Sequence, residues 1–264
     1  MNFFDTPISL SKLRDELVRM EDTIIFALVE RSLFSQNTII YKHKGFEFSD
    51  YDGSFLEYFL HETECVHAKV RRYTSPDEYP FTANLPEPIL PPLAFPKLLI
   101  PNDINVNQQL VELYTSKIVP LICVDGDDGN YGSSATKDVE ALQILSRRIH
   151  MGKYVAEAKF NDPAQHDQYV ALIKAQDRDG LMALLTNAAV EERLLRRVEK
   201  KAMIYGQEID DSDKPSTGHL RLPLKLVSDL YEEHIIPLTK QVEVDYLLQR
   251  LNYPDFTPEV PYTH

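Results

Sequence analysis

The sequence has 264 residues, 43% of them hydrophobic, which is enough to bury a substantial core in one helical domain without requiring a second. Its 28 basic and 41 acidic residues give a net charge of −13, which argues against nucleic acid or an anionic membrane surface as a general partner. Two cysteines, Cys65 and Cys123, are too few for a disulfide framework, and no stretch resembles a secretion signal or a membrane span. We therefore expect a soluble cytoplasmic protein in which only a local basic cluster attracts an anion.

Apolar side chains recur every three or four positions between residues 11 and 34, which predicts a long amphipathic helix. These side chains are Leu13, Leu17, Met20, Ile24 and Leu28. A second helix is predicted over residues 54–73, because Ser54 and Glu57 have the spacing of a capping box. The next segment, 74–101, contains seven prolines before Pro101, and they exclude helix over most of a connection long enough to be functional.

Further helical segments are predicted beyond the proline-rich segment. They cover residues 106–124, 136–160, 163–174, 177–205 and 223–251. They are interrupted by an Asp- and Gly-rich break at 125–132 and by a polar segment at 206–218, which is interpreted as a surface loop.

No convincing strand pattern is found, so the predicted fold class is all-α, a multi-helix bundle with long kinked helices. Pro120 and Pro237 lie inside similar apolar hexamers, and each is expected to kink its helix. One domain is expected over residues 1–251, followed by a loose tail over 252–264.

Arg148 and Lys159 are eleven positions apart in one predicted helix, which places both on one face, roughly 16 Å from each other. Between them on that face lie Gly152 and Val155, which are small enough to let an anionic ligand or another helix come close. The alternative is that both cations are simply solvated, as most charged residues on helices are.

Two polar pairs, Asn187 with Glu191 and Thr239 with Glu243, are each four positions apart and share a helix face with apolar residues. A carboxylate at the border of a core is costly unless it is paired or protonated, so the two glutamates are natural partners for the cations. A structural ion pair or a solvent-facing carboxylate is the alternative, and the same caution applies to Arg14.

Motifs for metal binding and nucleophilic catalysis are incomplete. The segment 61–67 contains His, Glu and Cys without the spacing of a zinc site, and the break at 125–132 lacks the glycine and glutamate that a calcium loop needs. No Gly-x-Ser-x-Gly elbow occurs, and nothing marks either cysteine as a nucleophile. An enzyme with this sequence is expected to work by positioning and electrostatics, with no metal.

Four groups of residues follow one another along the chain: LRDELVRMED at 13–22, SRRIH at 146–150 with VAEAKF at 155–160, NAAVEE at 187–192 and TKQVEVDYLL at 239–248. Together they resemble the fungal all-helical, allosteric chorismate mutases. The resemblance implies a homodimeric isomerase that rearranges chorismate to prephenate, a cofactor-free Claisen-type step toward phenylalanine and tyrosine. The implied catalytic helices cover about 9–34, 136–160, 177–205 and 223–251, and the implied regulatory elements cover about 54–136.

Carried over by position, the resemblance implies that Arg14 and Arg148 hold the two carboxylates of chorismate through fork-shaped contacts. Lys159 would donate to the ether oxygen as its negative charge grows in the transition state. Glu243 would contact the same oxygen, which it can help only as a donor, so it should be protonated when active.

The other implied contacts are polar: Glu191 would accept from the ring hydroxyl, while Asn187 and Thr239 would assist positioning. Holding the open-chain substrate in a compact, chair-like geometry should supply much of the remaining rate acceleration.

Two alternative functions stay open. One is a non-catalytic helical binding module whose Arg and Glu residues form interhelical bridges, with segment 74–101 docking a partner. The other is a homologue that binds chorismate without activity.

A regulatory site is also implied, with VRRYTSPD at 70–77 and GNYGSSAT at 129–136 as the matching segments. Arg71 and Arg72 would meet the effector across a dimer interface, or, alternatively, are simply charges favoured at a helix C-terminus. The other wall would consist of Asn130, Gly132, Ser133 and Thr136.

The family is inhibited by tyrosine and activated by tryptophan, which requires each effector to prefer a different quaternary state. Two departures from the family pattern, Gly129 and RLPL at 221–224, leave the strength of this regulation open.

Overall fold

The computed structural model describes residues 7–47, 51–205, 207–209, 215–220 and 222–263. These residues are mainly helical, as the sequence predicts. The helices are α1 (Leu10–Arg31), α2 (Phe55–Lys69), α3 (Asn107–Leu113), α4 (Val119–Ile122), α5 (Tyr131–His150), α6 (Gly152–Phe160), α7 (His166–Lys174), α8 (Arg178–Leu185), α9 (Ala188–Tyr205), α10 (Leu224–Leu230) and α11 (Ile236–Arg250). Within the described ranges, none is both long and apolar enough to cross a bilayer.

Short strands form two small sheets that the sequence patterns did not predict. β1 (Ile8–Ser9) pairs in parallel with β4 (Tyr262–Thr263), and β2 (Gln207–Ile209) pairs antiparallel with β3 (Pro215–Leu220). β1, β2 and β4 have only two or three residues, too few for an alternating pattern, and the six residues of β3 do not alternate between apolar and polar side chains. The prediction of a surface loop over 206–218 is therefore wrong for its described part, while Gly206, 210–214 and Arg221 lie outside the described residues.

The start of α2 confirms the predicted capping box. The Ser54 hydroxyl accepts from the Glu57 backbone N–H (3.2 Å), and the Glu57 carboxylate accepts from the Ser54 N–H (2.7 Å). The helix ends at Lys69, short of the predicted residue 73. It ends there because Arg71 adopts a left-handed conformation with φ of 72° and its N–H returns to the Ala68 carbonyl (2.9 Å).

Two predicted helices are each divided. The segment predicted as one helix over 177–205 forms α8 and α9, because Thr186 is extended and the Asn187 side chain accepts from the Val190 N–H (3.1 Å), capping α9. The segment predicted over 136–160 begins earlier, at Tyr131, and a turn at Met151 separates α5 from α6.

Pro120 and Pro237 disturb their helices as expected, and at both positions the disturbance is a π turn. Tyr114–Ile118 precedes α4, and Tyr231–Ile235 precedes α11. Proline lacks an N–H and clashes with the carbonyl four residues earlier in an α-helix, and the wider turn relieves both problems. The similar hexamers thus give similar local structures, and each helix continues through its proline.

A buried ion pair joins α1 to α5 in the main core. Arg31 and Asp138 are both 0% exposed, and Arg31 Nε donates to Asp138 Oδ1 (2.6 Å). The hydroxyls of Tyr41 (2.8 Å) and Tyr114 (2.9 Å) also donate to the Asp138 carboxylate. Arg31 uses its remaining N–H groups on backbone carbonyls after the end of α1. The pair is therefore both matched in charge and fully hydrogen-bonded, which a buried pair requires.

The proline-rich segment is fixed against α5 and α6. The Tyr79 ring stacks on the His150 ring (4.3 Å between centroids), and Lys153 Nζ lies 4.0 Å from the centroid of the Tyr79 ring. Lys153 is 0% exposed and also donates to the Ile104 carbonyl. Burial lowers the pKa of Lys153 to about 7. Leu98, at the far end of the segment, is buried as well.

Replacing one partner of the buried pair should strongly destabilise the fold. We expect Asp138→Ala to lower the free energy of unfolding by about 3–5 kcal/mol, because Arg31 would remain charged and buried. Lys137→Ala is the neighbouring control, since Lys137 pairs with Glu30 and Glu140 near the surface and should change stability by at most about 1 kcal/mol. Urea denaturation measures both, and equal effects would contradict this account.

Candidate active site

Four of the predicted site residues meet where α5, α6 and α11 pack together. Arg148 Nη1, near the end of α5, donates to Thr239 Oγ1 (3.4 Å), and Lys159 Nζ, near the end of α6, donates to Glu243 Oε2 (3.3 Å). We call these four residues the polar cluster. Thr239 and Glu243 lie one turn apart on α11, so the two cations contact neighbouring turns of the same helix.

The first residue of α6 sets the distance between α6 and α11. A Cβ atom on Gly152 would lie 2.9 Å from the Thr239 carbonyl oxygen and 3.2 Å from Glu243 Cγ. Any larger residue would push α11 away. The sequence predicted that a small residue here lets an anionic ligand or another helix come close, and the structure shows the close approach of another helix, α11. Gly152 therefore places Thr239 and Glu243 beside Arg148 and Lys159.

Glu243 is a buried carboxyl, 6% exposed. Burial raises its pKa above the ordinary value, and the nearby charges of Lys159 and Arg148 oppose this increase without cancelling it. The protonated form of Glu243 therefore persists to a higher pH than in an exposed glutamate. A protonated carboxyl can donate a hydrogen bond, which an ionised one cannot.

Arg148 is a buried cation without a carboxylate partner. It is only 4% exposed, and its Nε is buried with no hydrogen-bond partner. Its contact with Thr239 is to a neutral hydroxyl, and no residue in the described ranges forms an ion pair with it. An uncompensated buried charge is costly, so the arrangement favours an anion as the missing partner.

Glu191 lies outside the polar cluster, in an ion pair with Lys240. Lys240 Nζ is 2.7 Å from Glu191 Oε1, and the two side chains are 17% and 28% exposed, respectively. This is the structural alternative that the sequence left open for Glu191. Lys240 was not predicted from the sequence. The available signal was its position directly after Thr239, about 100° further around α11 and facing α9.

The structure does not bring the other two predicted catalytic residues into the polar cluster. Asn187 is exposed, and its side chain caps α9. Arg14 is exposed on α1, and no hydrogen bond or ion pair joins it to another residue that the structure describes. For both residues a catalytic contact therefore remains a prediction.

A second interaction missed from the sequence ties α1 to α9. Glu21, which is 0% exposed, accepts two hydrogen bonds from Arg197 (2.6 and 2.8 Å) and lies 3.2 Å from Lys201 Nζ. This bidentate pair fixes the helix that carries Arg14 relative to the one that carries Glu191. Glu21 interrupts an apolar stripe, which was the available signal, but its partners are about 180 positions away.

The two arginines predicted to meet an effector lie after the end of α2. The Arg71 side chain donates to the Pro91 carbonyl. Arg72 donates to the amide oxygen of Gln143 on α5 (2.8 Å) and pairs with Glu78 (3.1 Å). Arg71 therefore holds the proline-rich segment, and Arg72 joins that segment to α5. Both also lie where a helix C-terminus favours positive charge.

The opposite wall of the predicted effector site lies at the start of α5. Asn130, Gly132, Ser133 and Thr136 are all exposed there. Thr136 is seven positions before the Gln143 that Arg72 contacts, which is about 10 Å along the helix. Within one chain the two walls are therefore apart. Gly129, one of the departures noted above, has φ of 76°, a conformation that glycine adopts without strain.

Comparisons with known proteins identify the family of this chain. A family profile described as chorismate mutase type II matches residues 130–244, a range that contains the whole polar cluster and α9. Chorismate mutase from Schizosaccharomyces pombe is 48% identical over 256 residues, covering 95% of this chain and 100% of the relative.

Solved structures extend the comparison. Candida albicans Aro7p chorismate mutase, in complex with L-Trp, has 42% identity and a TM-score of 0.86, with 92% of each chain covered. AtCM1 from Arabidopsis thaliana, with tyrosine bound in its allosteric site, has 45% identity and a TM-score of 0.81, covering 92% of this chain and 96% of the other. The similarity thus includes plant as well as fungal proteins. This chain belongs to the chorismate mutase family.

Proposed function

We propose that the polar cluster binds chorismate and catalyses its rearrangement to prephenate, an isomerisation on the route to phenylalanine and tyrosine. The observation that carries this proposal is the buried, unpaired guanidinium of Arg148 beside Lys159 and Glu243, a glutamate whose pKa is raised by burial. Chorismate is a dianion, so it supplies the negative charge that Arg148 lacks. The rearrangement is pericyclic and needs no cofactor.

The geometry suits the charge that develops during this reaction. As the C–O bond breaks and the new C–C bond forms, negative charge grows on the ether oxygen. Lys159 Nζ and Glu243 Oε2 are 3.3 Å apart, so a single oxygen atom lying beside the pair can accept from both, from Glu243 in its protonated form. A preorganised donor of this kind typically contributes about 3–4 kcal/mol to transition-state stabilisation.

The remaining predicted residues have supporting roles in this proposal. Arg14 holds the second carboxylate, and Glu191 accepts from the ring hydroxyl. Thr239 orients Arg148 through the contact already described (3.4 Å), and Asn187 acts by fixing the start of α9. Such positioning residues matter because the open-chain substrate must be held in a compact geometry before the bond can form.

The binding-module alternative receives less support. It required the arginines and glutamates to form interhelical bridges, and that expectation is met by Glu21 with Arg197 but not by Arg148. A scaffold held together by such bridges gives no reason to bury a guanidinium without a carboxylate. Binding of a dianionic substrate does give a reason, because the substrate supplies the carboxylate.

Regulation by tyrosine and tryptophan is also part of the proposal, acting through a homodimer in the cytoplasm. Relatives have been solved with L-Trp or with tyrosine bound, the latter in an allosteric site. Arg71 and Arg72 from one protomer would face the Asn130–Thr136 wall of its partner, since the two walls are apart within one chain. Exposed apolar side chains near Arg71 suit an interface: Val66, Val70, Ile89, Leu90 and Leu93.

Removal of the unpaired cation should abolish activity without destabilising the fold. We expect Arg148→Ala to lower kcat/KM by at least about 100-fold, since it removes a charge-assisted contact to the substrate. The melting temperature should not fall, because no buried carboxylate loses a partner. Loss of chorismate absorbance, with prephenate identified as the product, measures the rate.

Arg196→Ala is the control, because Arg196 pairs with Glu192 at the surface. Near-normal turnover in Arg148→Ala would refute the assignment.

The proposed donor role of Glu243 predicts a specific pH profile. Because the pKa of Glu243 is raised, the carboxyl stays protonated up to that higher pKa, and activity should fall as the pH rises through it. Glu243→Gln keeps an N–H donor that does not titrate, so its activity should lose this alkaline decline. Initial rates between pH 5 and pH 9 test the expectation. A decline of the same midpoint in Glu243→Gln would show that another group causes it.

The regulatory proposal has two readouts. We expect tyrosine to lower and tryptophan to raise the initial rate at subsaturating chorismate, and light scattering to give twice the chain mass of 30.4 kDa. Arg72→Ala should weaken the response to both effectors, because the guanidinium that meets them is lost. A monomer with full effector response would contradict an interface site.

A further inference from the structure

The tail was expected to be loose, and the structure shows otherwise. Residues 252–263, which we call the strap, run from the end of α11 back to the start of α1. The first anchor is Arg250, the last residue of α11. Its guanidinium pairs with the buried Glu157 of α6 (2.8 Å) and donates to the carbonyls of Tyr253 (3.1 Å) and Phe256 (3.2 Å) in the strap.

The middle of the strap is held by the proline-rich segment. The Glu259 N–H donates to the Lys97 carbonyl (2.9 Å), and the Lys97 N–H donates to the Glu259 carboxylate (2.9 Å). One residue of the strap thus satisfies both backbone groups of Lys97. This reciprocal contact also brings the strap next to Leu98, which is 2% exposed.

The last anchor is the start of α1. Pro261 accepts from the Ile8 N–H (3.1 Å), and β4 pairs Tyr262 with Ile8 and Thr263 with Ser9. Ser9 is the N-cap of α1, where its hydroxyl accepts from the Lys12 N–H (3.1 Å). The strap therefore pairs with the residue that begins the helix carrying Arg14.

Side chains of the strap also close a small apolar cluster, separate from the main core. Its buried members come from β1, α1, the proline-rich segment and the turn and helix at α6: Ile8, Leu13, Met20, Leu98, Met151, Tyr154 and Ala158. Val260 and Tyr262 of the strap pack against them. Leu13 precedes Arg14 in sequence, and Ala158 precedes Lys159. The cluster therefore joins the chain segments on which two of the proposed catalytic cations lie.

We propose that the strap is a positioning element for catalysis: it holds the first turns of α1 against α6 and so fixes Arg14 relative to Lys159. This inference rests on the substrate-binding role proposed for Arg14. Arg14 lies five residues after Ser9, about 7.5 Å along the helix, and no hydrogen bond to another described residue holds its side chain. Its place is thus set by the backbone of α1 alone.

Small shifts of such a residue are costly. A misplacement of about 1 Å can reduce a rate by about 100-fold, even when the change is made far from the reacting atoms. Arg14 is proposed to hold a carboxylate in both the ground state and the transition state. Loosening it should therefore raise KM more than it lowers kcat.

Two variants test the proposal in the full enzyme assay. One ends at Asn252, and the other is Tyr262→Ala, which keeps the strap but removes the larger of the two strap side chains that pack against the apolar cluster. Thr257→Ala is the matched control, because Thr257 is an exposed strap residue. We expect both test variants to lower kcat/KM, by about tenfold in the truncated chain, mainly through KM, and the control to match the unmodified protein.

A double-mutant cycle separates positioning from simple stabilisation. In an Arg14→Ala background, removing the strap should lower kcat/KM by no more than about twofold further, because both changes act on the same contact. A strap that only stabilises the fold would lower the melting temperature and leave kcat/KM unchanged in protein that remains folded. An unchanged kcat/KM in folded Tyr262→Ala would overturn the proposal. So would a loss of kcat/KM on removing the strap that is as large in the Arg14→Ala background as in the unmodified protein.

Hydrogen exchange provides a readout that does not need turnover. Amides of residues 8–14 should exchange faster in the truncated chain and in Tyr262→Ala than in Thr257→Ala. Unchanged exchange would refute the anchoring itself. An unmodified protein that fails to convert chorismate would instead refute the proposed function, so the two failures are distinguishable.

Discussion

The contact between α6 and α11 at Gly152 is the constraint on which the site depends. Because Gly152 has no Cβ atom, the Thr239 carbonyl oxygen can lie 2.9 Å from the position that a Cβ would occupy, and α11 packs closely enough on α6 for Glu243 to be buried. Burial, in turn, raises the pKa of this carboxyl and strengthens the electrostatic interactions around it. The chemistry proposed for Lys159 and Glu243 thus begins with the smallest side chain in the region.

The rest of the molecule shows how unusual Arg148 is. Three buried ion pairs occur elsewhere: Arg31 with Asp138, Glu21 with Arg197, and Glu157 with Arg250. These pairs tie α1, α5, α6, α9 and α11 to one another. The buried Lys153, which forms no ion pair in the described ranges, donates to the Ile104 carbonyl and lies over the Tyr79 ring. Arg148 has only the neutral hydroxyl of Thr239, which makes its position suitable for a carboxylate of a dianion.

Much of this arrangement could be predicted from local sequence, and the failures have physical causes. The capping box predicted the start of α2, and the apolar periodicity predicted α1. Both predictions succeeded because each signal depends only on residues three or four positions apart. Asn187 was interpreted as a residue on a helix face, although its side chain caps α9, so the break between α8 and α9 was missed. Lys240 and Glu21 could not be assigned, since their partners are distant in sequence. The resemblance to a family, rather than any spacing, is what singled out Arg14.

The π turn before Pro237 has a consequence for how this protein can change over evolution. A π turn accommodates one residue more than an α turn, so the helix after it is rotated by about 100° relative to an uninterrupted α-helix. Loss of a single residue from Tyr231–Ile235 would give a more regular helix and leave Thr239 and Glu243 facing α6, because the wider turn already absorbs that residue. The length of this turn can therefore change by one residue during evolution without moving the site, whereas a deletion between the turn and Thr239 would rotate both side chains about 100° away from α6.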